Sequence, residues 1–143
     1  MTTVSTDSPA VRHASADHLA IAKRYAARPD DWPFSPRLDP FQRWHYRLAE
    51  EPDAEVWLLS WLPGQHTDLH DHGGSSGAFV VVTGTLTEYT AAIRPDGGLP
   101  RLFDNTFSAG HGRSFDPHHI HQIANAGSQP AVSLHVTAPP CAK

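Results

Sequence analysis

The chain has 143 residues, a formal net charge of −4 and 39% hydrophobic residues, enough for one domain with its own core. The acidic balance offers no basic footprint for nucleic acid, and no apolar run approaches the roughly 20 residues that a membrane span requires. Cys141 is the only cysteine, so no internal disulfide can form; together with the absence of an apolar secretory core in MTTVSTDSPAVRHASADH, this predicts a cytoplasmic protein.

Residues 1–14 are polar and are expected to be disordered. Ser15 is placed to N-cap a helix over 16–27. On that helix Leu19, Ala22 and Ala26 share one face, with Ile21 and Tyr25 beside it. Arg28-Pro29 closes it, and residues 29–40, with four prolines, read as loop. From Glu55 onward the texture changes to short strands separated by Gly, Pro, Asn and Asp. They are predicted at 55–62, 67–71, 78–83, 85–93, 101–107, 112–115, 120–125 and 131–137. Thr83-Gly84 breaks one from the next as a hairpin or a bulge. Short strands with no helices between them predict an all-β barrel or double-sheet jelly roll. One domain is expected over 15–143, with its barrel at about 42–140.

The 11 histidines equal Lys and Arg combined, and several cluster. His70 and His72 stand at i, i+2, which on a strand puts both imidazoles on one face and makes half of a metal site. The other half must come from elsewhere, and PHHIHQIAN (117–125) offers His119 and His121, again on one face. Gly64, five residues, His70-Asp71-His72 and then Gly84 resemble the first cupin motif, G-x5-H-x-H-x3-4-E-x6-G. Gly110 through His121 to Asn125 resembles the second, G-x5-P-x-G-x2-H-x3-N, with Pro117 one place late and the inner glycine missing. That pair of motifs implies a cupin double-stranded β-helix, a jelly-roll barrel, with a short N-terminal helix. It selects His121 over His119 as the third ligand. The motif's acid falls on Ser76 or Gly77, so the expected site is three histidines without a carboxylate. Three neutral imidazoles leave the 2+ charge on the metal and about three positions open, which favours anionic ligands such as a thiolate. The ligand set alone would also suit Zn and an activated water.

Residues 60–89 (SWLPGQHTDLHDHGGSSGAFVVVTGTLTEY) and 121–140 (HQIANAGSQPAVSLHVTAPP) closely resemble the bacterial branch of the cysteine dioxygenase family, and the resemblance extends over about 42–140. It implies a mononuclear Fe(II) enzyme that adds both atoms of O2 to a small carboxylated thiol and yields a sulfinic acid. Cysteine to cysteine sulfinate is the first expectation, with 3-mercaptopropionate or ergothioneine as alternatives. A non-catalytic metal-binding cupin is the reading from another class. The resemblance implies His70, His72 and His121 as iron ligands and Arg47 as the partner of the substrate carboxylate. Ser133 and His135 match two members of an outer relay whose third member, a tyrosine, is replaced by Thr137. Tyr46 is the candidate to supply the missing phenol. Gly77 stands where animal enzymes carry a cross-linking cysteine, and Ala138-Pro139 matches a cis peptide. The expected partners are the thiol and O2, with no nucleic acid and no membrane, and the sequence does not fix an oligomeric state.

Overall fold

The computed structural model describes residues 9–70, 76–92 and 94–138, with residues 9–17 described by their backbone alone. The chain opens with helix α1, Pro9–Ala26, followed by a single 3-10 turn at Pro29–Asp31. The strands are β1 (Trp44–Glu51), β2 (Ala54–Trp61), β3 (Ser76–Thr83), β4 (Thr85–Ala92), β5 (Arg101–Ser108), β6 (Gly112–Phe115), β7 (His121–Ala124) and β8 (Ala131–Ala138). They form two antiparallel sheets, one ordered β1-β2-β8-β3-β6 and the other β5-β4-β7.

The larger sheet is covered on both faces, which explains the near-continuous apolar runs VWLL and FVVV. One face packs Val56, Leu58, Val80, Leu134 and Val136 under α1, where Ala22 is fully buried and Ile21, Tyr25 and Ala26 lie against the cluster. The other turns Leu59, Trp61, Phe79 and Val81 toward Leu86 and Ile123 of the smaller sheet. Strand alternation alone sorts these two sets.

Three expectations are corrected. The helix starts at Pro9, so residues 9–14 are its first turns rather than disordered chain, and Ser15 is interior. Proline suits a first helical position, since its fixed φ is helical and its missing N–H has no partner to lose. Second, 44–51, which carried no strand prediction, is edge strand β1. Its charges and mixed pattern are typical of an edge, where neither face must be wholly apolar. Third, the predicted strand at 67–71 is not a ladder strand: it touches its neighbours through single bridges, His66 to Ala124 and His70 to His121. Thr83-Gly84 is not a hairpin, since β3 and β4 lie in different sheets, and the bulge comes just before it. The register slips between Val81 and Thr83 against β8, and the chain then passes to the other sheet. Gly84 makes the crossing at φ +76°, with the Pro130 carbonyl 2.5 Å from where a Cβ would stand.

Candidate metal centre and cavity

His70 and His121 face each other across an antiparallel bridge. Each backbone N–H donates to the other's carbonyl at 2.9 Å, which brings the two rings to 4.9 Å between centroids. In both rings Nδ1 is engaged. That of His70 donates to the Asp68 carbonyl at 2.6 Å, and that of His121 lies 2.6 Å from Glu88 Oε2. With Nδ1 held in this way, Nε2 is the nitrogen that would hold a metal, and the ring orientation is fixed by its outer partner. His72 and Asp71 lie outside the described residues.

Glu88 was not singled out from the sequence, although β4 signals it. Leu86 and Glu88 alternate on the buried face, and a carboxylate at a core position needs partners. Glu88 is fully buried and has three. Oε2 accepts from His121 Nδ1 at 2.6 Å and from His119 Nε2 at 2.8 Å, and Oε1 accepts from Arg113 Nη1 at 3.3 Å. Burial alone would raise its pKa, but the two imidazole hydrogen bonds and the Arg113 charge outweigh that and hold it at about 2. Burial lowers the pKa of His121 by more than Glu88 raises it, so His121 is neutral at pH 7, the form that ligates metals. Glu88, His119 and His121 present donor atoms within 4.8 Å of one another, a set that could itself receive a cation. Arg113 on the same carboxylate opposes that, and so does the use of Nδ1 rather than Nε2 of His121. His119, the alternative third ligand, stacks on Phe115 at 5.6 Å with its Nε2 turned to Glu88.

The His70–His121 pair opens into a cavity of about 540 Å³, bounded also by Arg43, His45, His135 and Thr137. β8 brings Ser133, His135 and Thr137 to one face. Trp61 Nε1 donates to the buried Ser133 Oγ at 2.9 Å, and that hydroxyl lies 2.8 Å from His135 Nε2. His135 also stacks on Phe79, 5.7 Å between centroids, so its ring is held from two sides. Behind Thr137, Gly77 is backed directly onto β8. A Cβ there would fall 2.1 Å from the Val136 carbonyl and 2.9 Å from the Phe115 ring, so no cysteine fits without a shift of backbone. Ser76, the other position where the motif's acid would fall, donates to the Ala138 carbonyl at 3.0 Å.

Two predicted binding residues sit elsewhere. Arg47 is half-exposed and paired with the buried Glu55 at 3.1 Å and with Glu50 at 4.0 Å, and it does not line the cavity. Tyr46 is on the opposite face of β1, by strand alternation, where it packs on Phe34 at 4.8 Å and stacks with Trp44. It cannot stand in for a phenol beside Thr137. The arginine in the cavity wall is Arg43, which the sequence reading passed over. Its guanidinium lies 5.2 Å over the Trp61 ring and has no hydrogen bond or ion pair among the described residues. Burial pulls its pKa down while Asp68 pulls it up, and it stays charged. The signal that could have found it is the alternation Arg43, His45, Arg47, visible once 44–51 is read as a strand. The Ala138-Pro139 peptide lies outside the described residues.

The family model described as cysteine dioxygenase type I matches residues 10–143. Among solved structures, a protein of Thermus thermophilus shares 21% identity at a TM-score of 0.62, over 73% of this chain and 90% of its own. A double-stranded β-helix protein of Klebsiella pneumoniae shares 24% at 0.55, over 74% and 88%. A cupin superfamily protein of Desulfitobacterium hafniense shares 16% at 0.53, over 73% and 83%. At these identities the likeness shows the fold, a cupin double-stranded β-helix.

Proposed function

Because this chain belongs to the cysteine dioxygenase type I family, we propose that it is an Fe(II)-dependent thiol dioxygenase that converts a small carboxylated thiol and O2 to the sulfinic acid. The observation that carries this reading is the His70–His121 pair, each ring anchored through Nδ1, beside a cavity whose wall holds an arginine with no hydrogen bond or ion pair among the described residues. The donor set fits the metal. Two imidazoles already stand at bridge distance, His72 follows His70 by two residues, and no acid stands at the motif's usual position. His70, His72 and His121 would hold Fe(II), which would supply a redox-active Lewis acid for a thiolate and O2.

The chain's own groups do the rest. Arg43 receives the substrate carboxylate through its planar fork, a role that Arg47, committed to Glu55, does not fill. His135, held by Ser133 and Phe79, presents a ring nitrogen toward the bound thiol and orients it by hydrogen bonding. Leu59, Phe115 and Ile123 line the same cavity and exclude water from the reacting sulfur.

Cysteine is the leading substrate. A larger carboxylated thiol is the second reading, favoured by one observation: the cavity, at about 540 Å³, falls within the roughly 300–1,000 Å³ of sites that hold drug-sized ligands. The test is O2 uptake by iron-loaded protein with cysteine, 3-mercaptopropionate and ergothioneine, with product identified by mass spectrometry. The expected result is one O2 consumed per thiol and a product heavier by two oxygen atoms. Iron bound stoichiometrically with no uptake on any thiol would leave a metal-binding cupin without this catalysis.

A further inference from the structure

We propose that Glu88 supplies, through the Nδ1–H of His121, the negative charge that the three-histidine ligand set lacks, and so makes His121 a stronger donor than His70. This rests on the metal reading above. Where the cupin motif would place an acidic ligand, this chain has Ser76 and Gly77, and the resulting site is formally neutral. A carboxylate is nonetheless present one hydrogen bond further out. Glu88 is fully buried in β4, and its shortest contact, 2.6 Å, is to the ring nitrogen of His121 opposite the one that would hold iron.

The remaining contacts of Glu88 keep it in this role. Arg113 takes the other oxygen at 3.3 Å, and His119 shares Oε2 at 2.8 Å while its ring rests on Phe115. The carboxylate is thus braced from two sides and cannot turn away from His121. His70 offers an internal contrast, because its Nδ1–H goes to a neutral backbone carbonyl at the same 2.6 Å, so the two rings differ in the charge of the acceptor and not in its distance. A carboxylate acceptor draws the Nδ1 proton and raises electron density at Nε2, whereas a carbonyl does so far less. Glu88 is therefore a positioning residue that acts on the metal through His121.

The experiment uses the full chain loaded with iron, and separately with zinc. Glu88→Gln keeps the size and removes the charge. Its expected effects are a loss in iron affinity on the order of 10–100-fold and a rise in the Fe(III)/Fe(II) midpoint potential, since less negative charge remains to stabilise Fe(III). His119→Gln keeps the Glu88 charge and should leave the potential near that of wild type. A folded Glu88→Gln chain with wild-type affinity and potential overturns the proposal. If that variant does not fold, the wild-type zinc form decides. The Nδ1 proton of His121 should resonate well downfield of that of His70, and equal shifts overturn the proposal. Metal that survives His70→Ala but is lost entirely in Glu88→Gln means that Glu88 is itself a ligand, which also overturns it. Wild-type chain that binds neither iron nor zinc removes the metal reading, and this inference with it.

Discussion

The guanidinium of Arg43 lies 5.2 Å over the ring of Trp61, and the same indole donates its N–H to Ser133 at 2.9 Å. One buried tryptophan therefore supports both Arg43 in the cavity wall and the Ser133–His135 pair. The stacked, half-buried arginine loses little freedom on receiving a carboxylate, and desolvation strengthens what it receives.

The first prediction separates the two arginines. Arg43→Ala should lower kcat/KM by roughly 10- to 150-fold, chiefly through KM, because a hydrogen bond to a charged group contributes about 1.5–3 kcal/mol. Iron content should not change. Arg47→Ala should leave KM alone and cost about 1–3 kcal/mol of stability, because the buried Glu55 loses its cation while its other oxygen keeps the Trp57 Nε1–H. Steady-state kinetics and urea unfolding on both variants check this. The reverse pattern, with KM following Arg47, would return that residue to the substrate.

The second concerns the ligands. His70→Ala and His121→Ala should each lose most of the iron, measured by elemental analysis after purification. His119→Ala should retain the larger part, because its Nε2 is bound to Glu88. Iron lost from His119→Ala but kept by His121→Ala would exchange the two roles.

Most of the barrel was legible because β2 and β3 carry near-continuous apolar runs and β8 alternates Val132, Leu134 and Val136 with Ser133, His135 and Thr137, patterns that suit strands. The His70 and His121 pairing was legible as spacing. What stayed hidden depended on register. Strand β1 carries charge at an edge, so nothing in its pattern announced a strand, and without the strand the alternation that carries Arg43 and His45 to the cavity was not visible. The pairing of Arg47 with Glu55 also depends on β1 meeting β2 with Arg47 opposite Trp57 and Glu50 opposite Glu55. Glu88 lies some thirty residues from His119 and His121 in sequence, and only the β4–β7 ladder brings it to them. Tyr46 shows the opposite case. Its neighbour in sequence faces the cavity side of the strand, and alternation turns Tyr46 away.

The third prediction is a pH dependence of the metal-free chain. Glu88 is held at about 2 against an ordinary 4.5, so its contribution to stability is present above the ordinary carboxylate range and is lost as pH falls toward 2. His121 is lowered from 6.5, so below that pH the unfolded chain takes a proton that the folded chain refuses, and unfolding is favoured. Both effects have the same sign. The urea midpoint of the apo protein should fall continuously on acidification below about 6.5. Replacing Glu88 by Gln should flatten the part between about 4.5 and 2. A midpoint that rises on acidification in either window contradicts the assignment for that group.

The last prediction concerns pocket size. Thr137 shares the cavity face of β8 with His135, in a strand position flanked by Glu55 on β2 and Gly77 on β3. Gly77 cannot accept a side chain there, because the Val136 carbonyl and the Phe115 ring occupy the space, so nothing from β3 fills the volume beside Thr137. Tyr46 does not fill it either, being on the far face of β1. The room left by a short side chain at 137 is therefore part of the cavity, and a ligand larger than cysteine can use it. Thr137→Tyr would project a ring into that room while keeping β8 intact, since tyrosine suits a strand. Turnover of a bulky thiol such as ergothioneine should then fall more than turnover of cysteine, with iron content unchanged. The measurement is the ratio of the two kcat/KM values in wild type and variant. A ratio that does not move shows that position 137 leaves specificity untouched, and the selectivity must then be sought at Arg43 and His45 on the opposite wall.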